Sequence, residues 1–126
     1  MLYMLLAYHD QDKVAALADD ELDKVMAGLD AVKKDLAAEG KLGPFARLRP
    51  TSAATTVRFE GKMPVIDGPF AETKEQLLGF YVLDCATLED AIDAARRLAG
   101  PRAAAGLPGC FEVRPLLSPS LEMCRA

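Results

Sequence analysis

Two stretches of the chain repeat apolar residues every three or four positions, which is the period of one buried helix face. The first runs from about residue 19 to residue 39, and its apolar positions are Leu22, Val25, Met26, Leu29, Val32 and Leu36. The second begins after Thr87, whose hydroxyl can cap a helix, and stops at Gly100-Pro101. Its apolar stripe consists of Leu88, Ala91, Ile92, Ala95, Leu98 and Ala99. The sequence therefore predicts two amphipathic helices.

The remaining apolar segments have the short length and the side-chain types of β-strands. The first, Leu2 to Tyr8, is apolar at every position, as in a strand that is central in its sheet or covered on both faces. A hairpin turning near Pro50-Thr51-Ser52 is expected to join the second and third strands. The predicted strands are residues 2–8, 45–48, 54–60, 63–66, 78–85 and 110–116.

The order of these elements is strand, helix, hairpin strands, strand, helix, strand. That order is a split βαβ arrangement with extra hairpin strands between its halves. We therefore predict an α+β fold in which both helices pack on one face of a mainly antiparallel sheet. Because no third helix is predicted to cover the other face, we expect a second copy of the chain to do so in a homodimer.

Composition narrows the class of protein. The chain has 126 residues, of which 51% are hydrophobic and 27% charged, and this suits one globular domain with a real core. We expect that domain to cover residues 1–117 and a weakly patterned C-terminal tail to cover residues 118–126. The net charge of −4 and the aromatic content of 6% argue against a nucleic-acid partner, since such partners need clustered cations and stacking rings.

Other sequence features bear on compartment and cofactors. The N-terminal apolar run lacks a leading basic region and is too short to span a bilayer, so we expect no membrane association. Cys85, Cys110 and Cys124 include no close-spaced pair, which favours reduced thiols in a cytoplasm. No metal-ligand spacing and no glycine-rich phosphate loop is present in the sequence, so we expect neither a metal nor a cofactor.

Residues 67–75, Asp-Gly-Pro-Phe-Ala-Glu-Thr-Lys-Glu, are the most specific stretch of the chain. Asp67-Gly68 is a turn dipeptide, and Pro69 restricts the residue before it, so the turn is stiff. A stiff turn can hold the Asp67 carboxylate in one orientation for chemistry, but a turn that only redirects the chain needs the same stiffness. Thr73 to Gln76 also fits a capping box, which would start a helical turn.

Four segments of the chain together resemble the YCII-related family, and specifically its branch with an Asp-Gly-Pro-Phe signature. They are residues 1–6, residues 53–58, the signature continuing to Tyr81, and residues 112–115. The resemblance implies a ferredoxin-like fold that assembles as a dimeric α+β barrel. It also implies small-molecule chemistry through a His and Asp pair in a cleft, as in lyases or isomerases of small cyclic compounds. An association with extracytoplasmic-function sigma factors is the implied alternative.

Acid–base chemistry and anion binding define the candidate site. We predict that Asp67 acts as the acid or base in a dimer cleft, with His9 or Glu72 assisting, because these side chains move protons in many enzymes. The ligand would be a small anionic or cyclic molecule, since arginine binds anions bidentately. The predicted substrate-binding residues are Arg58, Lys74, Glu75 and Arg114.

Less specific interpretations stay open beside the enzyme, both for single residues and for the whole protein. His9 could be an exposed loop histidine, and Arg58 and Arg114 could pair with Glu60 and Glu112 on a solvated face. The protein could also be a module that binds a ligand or a sigma factor without moving a proton. In a further interpretation the signature is purely structural and locks the chain against a neighbouring subunit.

Overall fold

A computed structural model of the chain describes residues 1–118, so all of the predicted C-terminal tail except Ser118 lies outside the described residues. The strands are β1 (Leu2–His9), β2 (Leu42–Arg47), β3 (Thr55–Val57), β4 (Val65–Asp67), β5 (Gln76–Asp84) and β6 (Gly109–Pro115). The helices are α1 (Gln11–Ala15), α2 (Asp19–Ala38) and α3 (Leu88–Ala104), and a short 3₁₀ turn covers Thr51–Ala53. Within residues 1–118, no helix combines the length and the apolarity needed to cross a bilayer.

Four strands form one antiparallel sheet in the order β2-β5-β1-β6. With α2 between β1 and β2, and α3 between β5 and β6, this is the ferredoxin-like topology, in which each helix connects strands that are not neighbours in the sheet. The predicted α+β class, the antiparallel sheet and the split βαβ order are confirmed. The central position predicted for the first strand is confirmed as well, because β1 pairs with β5 on one side and with β6 on the other.

Both long helices pack on the same face of the sheet and enclose the core. Along β1 the buried residues alternate with half-buried ones, so Tyr3, Leu5, Ala7 and His9 share the helix-covered face. The other face carries Leu2, Met4, Leu6 and Tyr8, which are only half-buried. The buried hydrophobic core includes Leu5, Val25, Leu29, Leu36, Leu83, Ala91, Ala94 and Leu98.

The predicted hairpin between residues 45–48 and 54–60 is wrong. Phe45 instead pairs with Tyr81 of the long strand β5, and the two rings stack with their centroids 6.0 Å apart. The Lys33 ammonium lies 4.5 Å from the centre of the Phe45 ring on its helix side. Strand β2 thereby gains a partner in the central sheet, which a local hairpin could not supply, and β3 pairs with β4 in a separate two-stranded ladder.

The predicted end of the second helix at Gly100-Pro101 is also wrong, because α3 continues to Ala104 with Pro101 inside it. The proline ring packs against Gly28 of α2, where an added Cβ would lie 2.9 Å from Pro101 Cβ and Cγ. Close packing of the two helices around this glycine offsets the hydrogen bond that proline cannot donate. The extra turn places Arg102 on the last turn of the helix, where it is half-buried.

We expect the replacement of one fully buried leucine of α3 to destabilise the fold markedly. Leu98 is 0% exposed, so Leu98→Ala should lower the free energy of unfolding by about 2–5 kcal/mol, because the lost packing leaves a cavity. Leu88→Ala on the same helix is the matched control and should lower it by less than about 1 kcal/mol, since Leu88 is 45% exposed. Urea denaturation followed by circular dichroism measures both. Equal losses in the two variants would contradict this account of the core.

Candidate functional site

A cavity of about 310 Å³ opens at the end of the sheet where β1 stops. Helix α1 and the first turns of α2 lie over it, while the ends of β1 and β2 and the start of β5 form its floor. Most of its wall is apolar, with Leu22, Val25 and Met26 of α2 as large contributors. A volume of this size, lined by apolar groups with a few polar ones, is typical of a small-molecule site.

His9 is the one polar or charged residue in the described chain that is buried, with 6% of its surface exposed. The alternation along β1 explains its position, because the strand that places Leu5 and Ala7 under the helices continues for one more step. Its Nε2 atom is buried and has no hydrogen-bond partner among the described residues. The interpretation of His9 as an exposed loop histidine is therefore wrong.

The charge state of His9 follows from its surroundings. The pKa of the imidazole is lowered from 6.5 to about 4, mainly by burial and in addition by the positive charge of Arg102. Both effects disfavour the imidazolium form, since a buried cation loses hydration and meets a like charge. At neutral pH His9 is consequently uncharged, with one ring nitrogen able to accept a proton.

Gly109 makes room for the imidazole. It is the neighbour of His9 in the β1–β6 ladder, and an added Cβ there would lie 2.5 Å from Tyr8 O and 3.0 Å from His9 Nδ1. Neither backbone nor ring can move aside cheaply, so only glycine fits. The sequence predicted that the last strand begins only at residue 110, just after Gly109, and this role was missed because the cross-strand register is not visible in the sequence.

Arg102 is a second residue that sequence reasoning missed. It lies on the last turn of α3, where its guanidinium stands 5.5 Å from the centre of the Phe111 ring and Nη1 donates to Leu98 O at 3.4 Å. His9 and Arg102 both line the large cavity and also a smaller one of about 100 Å³ that reaches Phe111. Nothing in the sequence singled out Arg102, because the predicted second helix stopped before it.

Hydrogen bonds made by the side chains of Gln11 and Gln76 tie the mouth of the cavity to the signature segment. Gln11 and Thr51 bond reciprocally, with Nε2 donating to the hydroxyl at 2.7 Å and the Thr51 amide donating to Gln11 Oε1 at 3.0 Å. Gln76 Oε1 accepts from the Gln11 amide at 3.0 Å, and Gln76 Nε2 donates to Thr73 O at 2.6 Å. This Gln11–Thr51–Gln76–Thr73 clamp connects α1, the 3₁₀ turn and the end of the signature.

The signature begins at the last residue of β4 and continues the β3–β4 ladder by one further residue. Gly68 has a φ of 102°, which favours glycine, and its amide donates to Ala54 O at 2.7 Å. The Thr56 hydroxyl donates to Gly68 O at 2.8 Å. The helical turn predicted from a capping box at Thr73 to Gln76 is wrong, because Gln76 already begins β5 and the Thr73 hydroxyl donates to Glu75 O instead.

Of the predicted site residues, the structure brings only His9 to the cavity. Asp67 and Arg58 belong to the β3–β4 hairpin and are exposed. On β6, Arg114 is exposed and lies 4.0 Å from Glu112, as in the interpretation of a solvated face. The remaining predicted residues follow the hairpin, where Glu72 and Lys74 are exposed and Glu75 is half-buried. Their catalytic and binding roles stay predictions.

Fold and cavity together define a ferredoxin-like α+β protein with one buried, uncharged histidine in a cavity large enough for a small molecule. The family model of the YCII-related domain matches residues 1–118. An uncharacterised protein of Rhizobium meliloti (strain 1021) is 50% identical over 117 residues, which is 92% of this chain and 92% of that protein. The chain belongs to the YCII-related family.

The low pKa of His9 gives a pH dependence that can be measured directly. The unfolded chain takes up a proton near pH 6.5 and the folded chain only near pH 4, so stability from the neutral imidazole is present above pH 6.5 and is lost as the pH falls toward 4. The contribution of His9 over that range should be about 3 kcal/mol. Urea denaturation at several pH values measures it.

The matched control is His9→Gln, which should lack this part of the pH dependence while keeping the part due to carboxylates. Because the chain has one histidine, its imidazole signal in a nuclear magnetic resonance titration of untagged protein needs no assignment. That signal should titrate near pH 4. A midpoint at 6.5 or above would contradict the burial of the ring.

Proposed function

We propose that this protein is a small-molecule enzyme of the lyase or isomerase type, in which His9 accepts or returns a proton inside the 310 Å³ cavity. One observation carries the proposal: the buried Nε2 atom of His9 faces no partner among the described residues. An unsatisfied buried polar atom destabilises a fold by about 1–3 kcal/mol, so its presence calls for an explanation, and a catalytic role is one. A ligand group that donates a hydrogen bond to Nε2 would satisfy it.

The surroundings of His9 suit proton transfer within a bound ligand. A ligand seated against the apolar wall would displace water from the ring, which strengthens hydrogen bonds and keeps a reactive intermediate from side reactions. Within the Gln11–Thr51–Gln76–Thr73 clamp, the bonds between Gln11 and Thr51 hold the mouth of the cavity in one arrangement. A ligand would therefore meet the His9 ring in a fixed geometry. The imidazole is uncharged at neutral pH, as a general base must be before it acts.

The second part of the proposal concerns assembly and the Asp-Gly-Pro-Phe signature. We infer that a second copy of the chain covers the half-buried apolar face of the sheet and the exposed apolar hairpin, where Phe59 is 95% exposed and Val65 68%. In that homodimer the signature acts by shaping the hairpin, and any chemistry of Asp67 would belong to the dimer cleft. Residues 67–70 also support membership of the branch that bears this signature.

Isotope exchange tests the catalytic part without requiring that the product be identified. Small organic metabolites are first screened by their effect on the single histidine signal, and those that bind are then incubated with the protein in D₂O. A lyase or isomerase that removes a C–H proton should wash deuterium into the bound compound. His9→Gln should slow that exchange by about 10²–10⁴-fold, the usual contribution of general acid–base catalysis.

The control is Arg96→Gln, on an exposed position of α3, which should exchange deuterium at the unaltered rate. Exchange that persists at full rate in His9→Gln would refute a proton transfer at this ring. Binding without any exchange would favour the alternative of a ligand-binding module, and co-purification with a sigma factor would favour a regulatory one.

Sedimentation velocity tests the homodimer. We expect the protein to sediment as a dimer and Phe59→Ser to raise its dissociation constant at least about tenfold, because buried aromatic anchors dominate interfaces. Since Phe59 is 95% exposed in the single chain, the change should leave the subunit's own stability unaltered. Lys62→Ser in the same hairpin is the control and should remain dimeric. A monomer at every concentration would exclude the dimer.

A further inference from the structure

The wall of the His9 cavity carries an excess of positive charge. Its charged residues are Arg47, Arg102 and Asp19, so that two cations stand against one anion while His9 is uncharged. Neither arginine has a carboxylate within 4.0 Å among residues 1–118. Arg47 is exposed and can be hydrated, whereas Arg102 is half-buried. A partly desolvated cation is normally paired, because burying it without an anion is costly.

Arg102 is the better placed of the two arginines to hold an anion. Its guanidinium stands 5.5 Å from the centre of the Phe111 ring, and its single hydrogen bond among the described residues is the long one to Leu98 O at 3.4 Å. A guanidinium has five N–H donors in a planar fork that matches a carboxylate. Most of these N–H donors therefore have no partner among the described residues. His9 and Arg102 line the same two cavities, so a ligand bound to Arg102 would lie near His9.

We propose that the cavity binds a small organic monoanion, a carboxylate on an apolar body, with the carboxylate on Arg102 and the apolar body against Leu22, Val25 and Met26. The inference rests on the proposed use of this cavity for a small ligand, and it adds the chemical class of that ligand. One net positive charge on the wall matches one carboxylate. The 310 Å³ volume has room for a ligand the size of a single substituted ring.

Such a ligand would also change the basicity of His9. Besides His9, the charged and titratable residues that line the two cavities are Arg102 of α3, Arg47 of β2, Asp19 of α2, Tyr81 of β5 and Cys110 of β6. Of these, Arg102 is the one whose charge lowers the His9 pKa. A carboxylate on Arg102 offsets that charge, so the pKa should rise from about 4 when the anion binds, which makes the bound state the better base.

A matched pair of probes tests the proposal. Phenylacetate and phenylacetamide have nearly the same shape and differ in charge, and the single histidine signal reports the binding of each. We expect phenylacetate to bind at least about tenfold more tightly, as a charge-assisted hydrogen bond predicts, and to move the histidine titration upward. Arg102→Gln should abolish the preference for the acid, Arg102→Lys should keep part of it, and Arg96→Gln on the outside of α3 should keep all of it.

Equal affinity for acid and amide would overturn the proposal, and so would a preference for the acid that survives in Arg102→Gln. Absence of phenylacetate binding at about 10 mM would overturn it too, because an anchored ring acid should reach at least millimolar affinity. Thermal unfolding of each variant confirms that the protein is folded. The proposed enzyme has a separate test, since an uncharged compound that exchanges deuterium through His9 would keep the function and reject the anionic ligand.

Discussion

The pairing of β1 on both of its edges is the constraint on which the rest of the structure depends. A strand held by β5 on one side and β6 on the other cannot slip by one residue, because a slip would move every buried side chain to the other face. The fixed register places Leu5 in the core and, four residues later on the same face of the strand, His9 in the wall of the cavity. Core and site are therefore set by one alternation.

The same register puts a polar ring where a hydrophobic residue would be more stable. The imidazole is buried, uncharged and unpaired at Nε2, and Arg102 stands beside it without a carboxylate among the described residues. These departures from a well-satisfied core coincide with the 310 Å³ cavity and are absent from the opposite end of the sheet, where Leu83 and Leu36 are fully buried. Local violations of this kind are expected where a protein binds or reacts.

The Asp-Gly-Pro-Phe segment contributes through geometry. Gly68 extends the β3–β4 ladder through its bond to Ala54 O and turns the chain with its positive φ. Thr73, near the end of the segment, belongs to the clamp that reaches Gln11 at the cavity mouth. A stretch that is prominent in the sequence thus connects the hairpin to the site without itself lining the cavity. Prominence in a sequence reflects unusual backbone requirements as much as chemistry.

The sequence by itself determined the α+β class, both long helices, the central strand and the family, because hydrophobic periods and turn residues act over a few neighbouring positions. It could not decide that Phe45 stacks on Tyr81, that Pro101 packs into Gly28, or that Gly109 and Arg102 surround His9. Those contacts join residues distant along the chain, and their register depends on the packing of the whole sheet. The histidine was visible in the sequence, whereas its burial and its position beside Arg102 were decided by the tertiary structure alone.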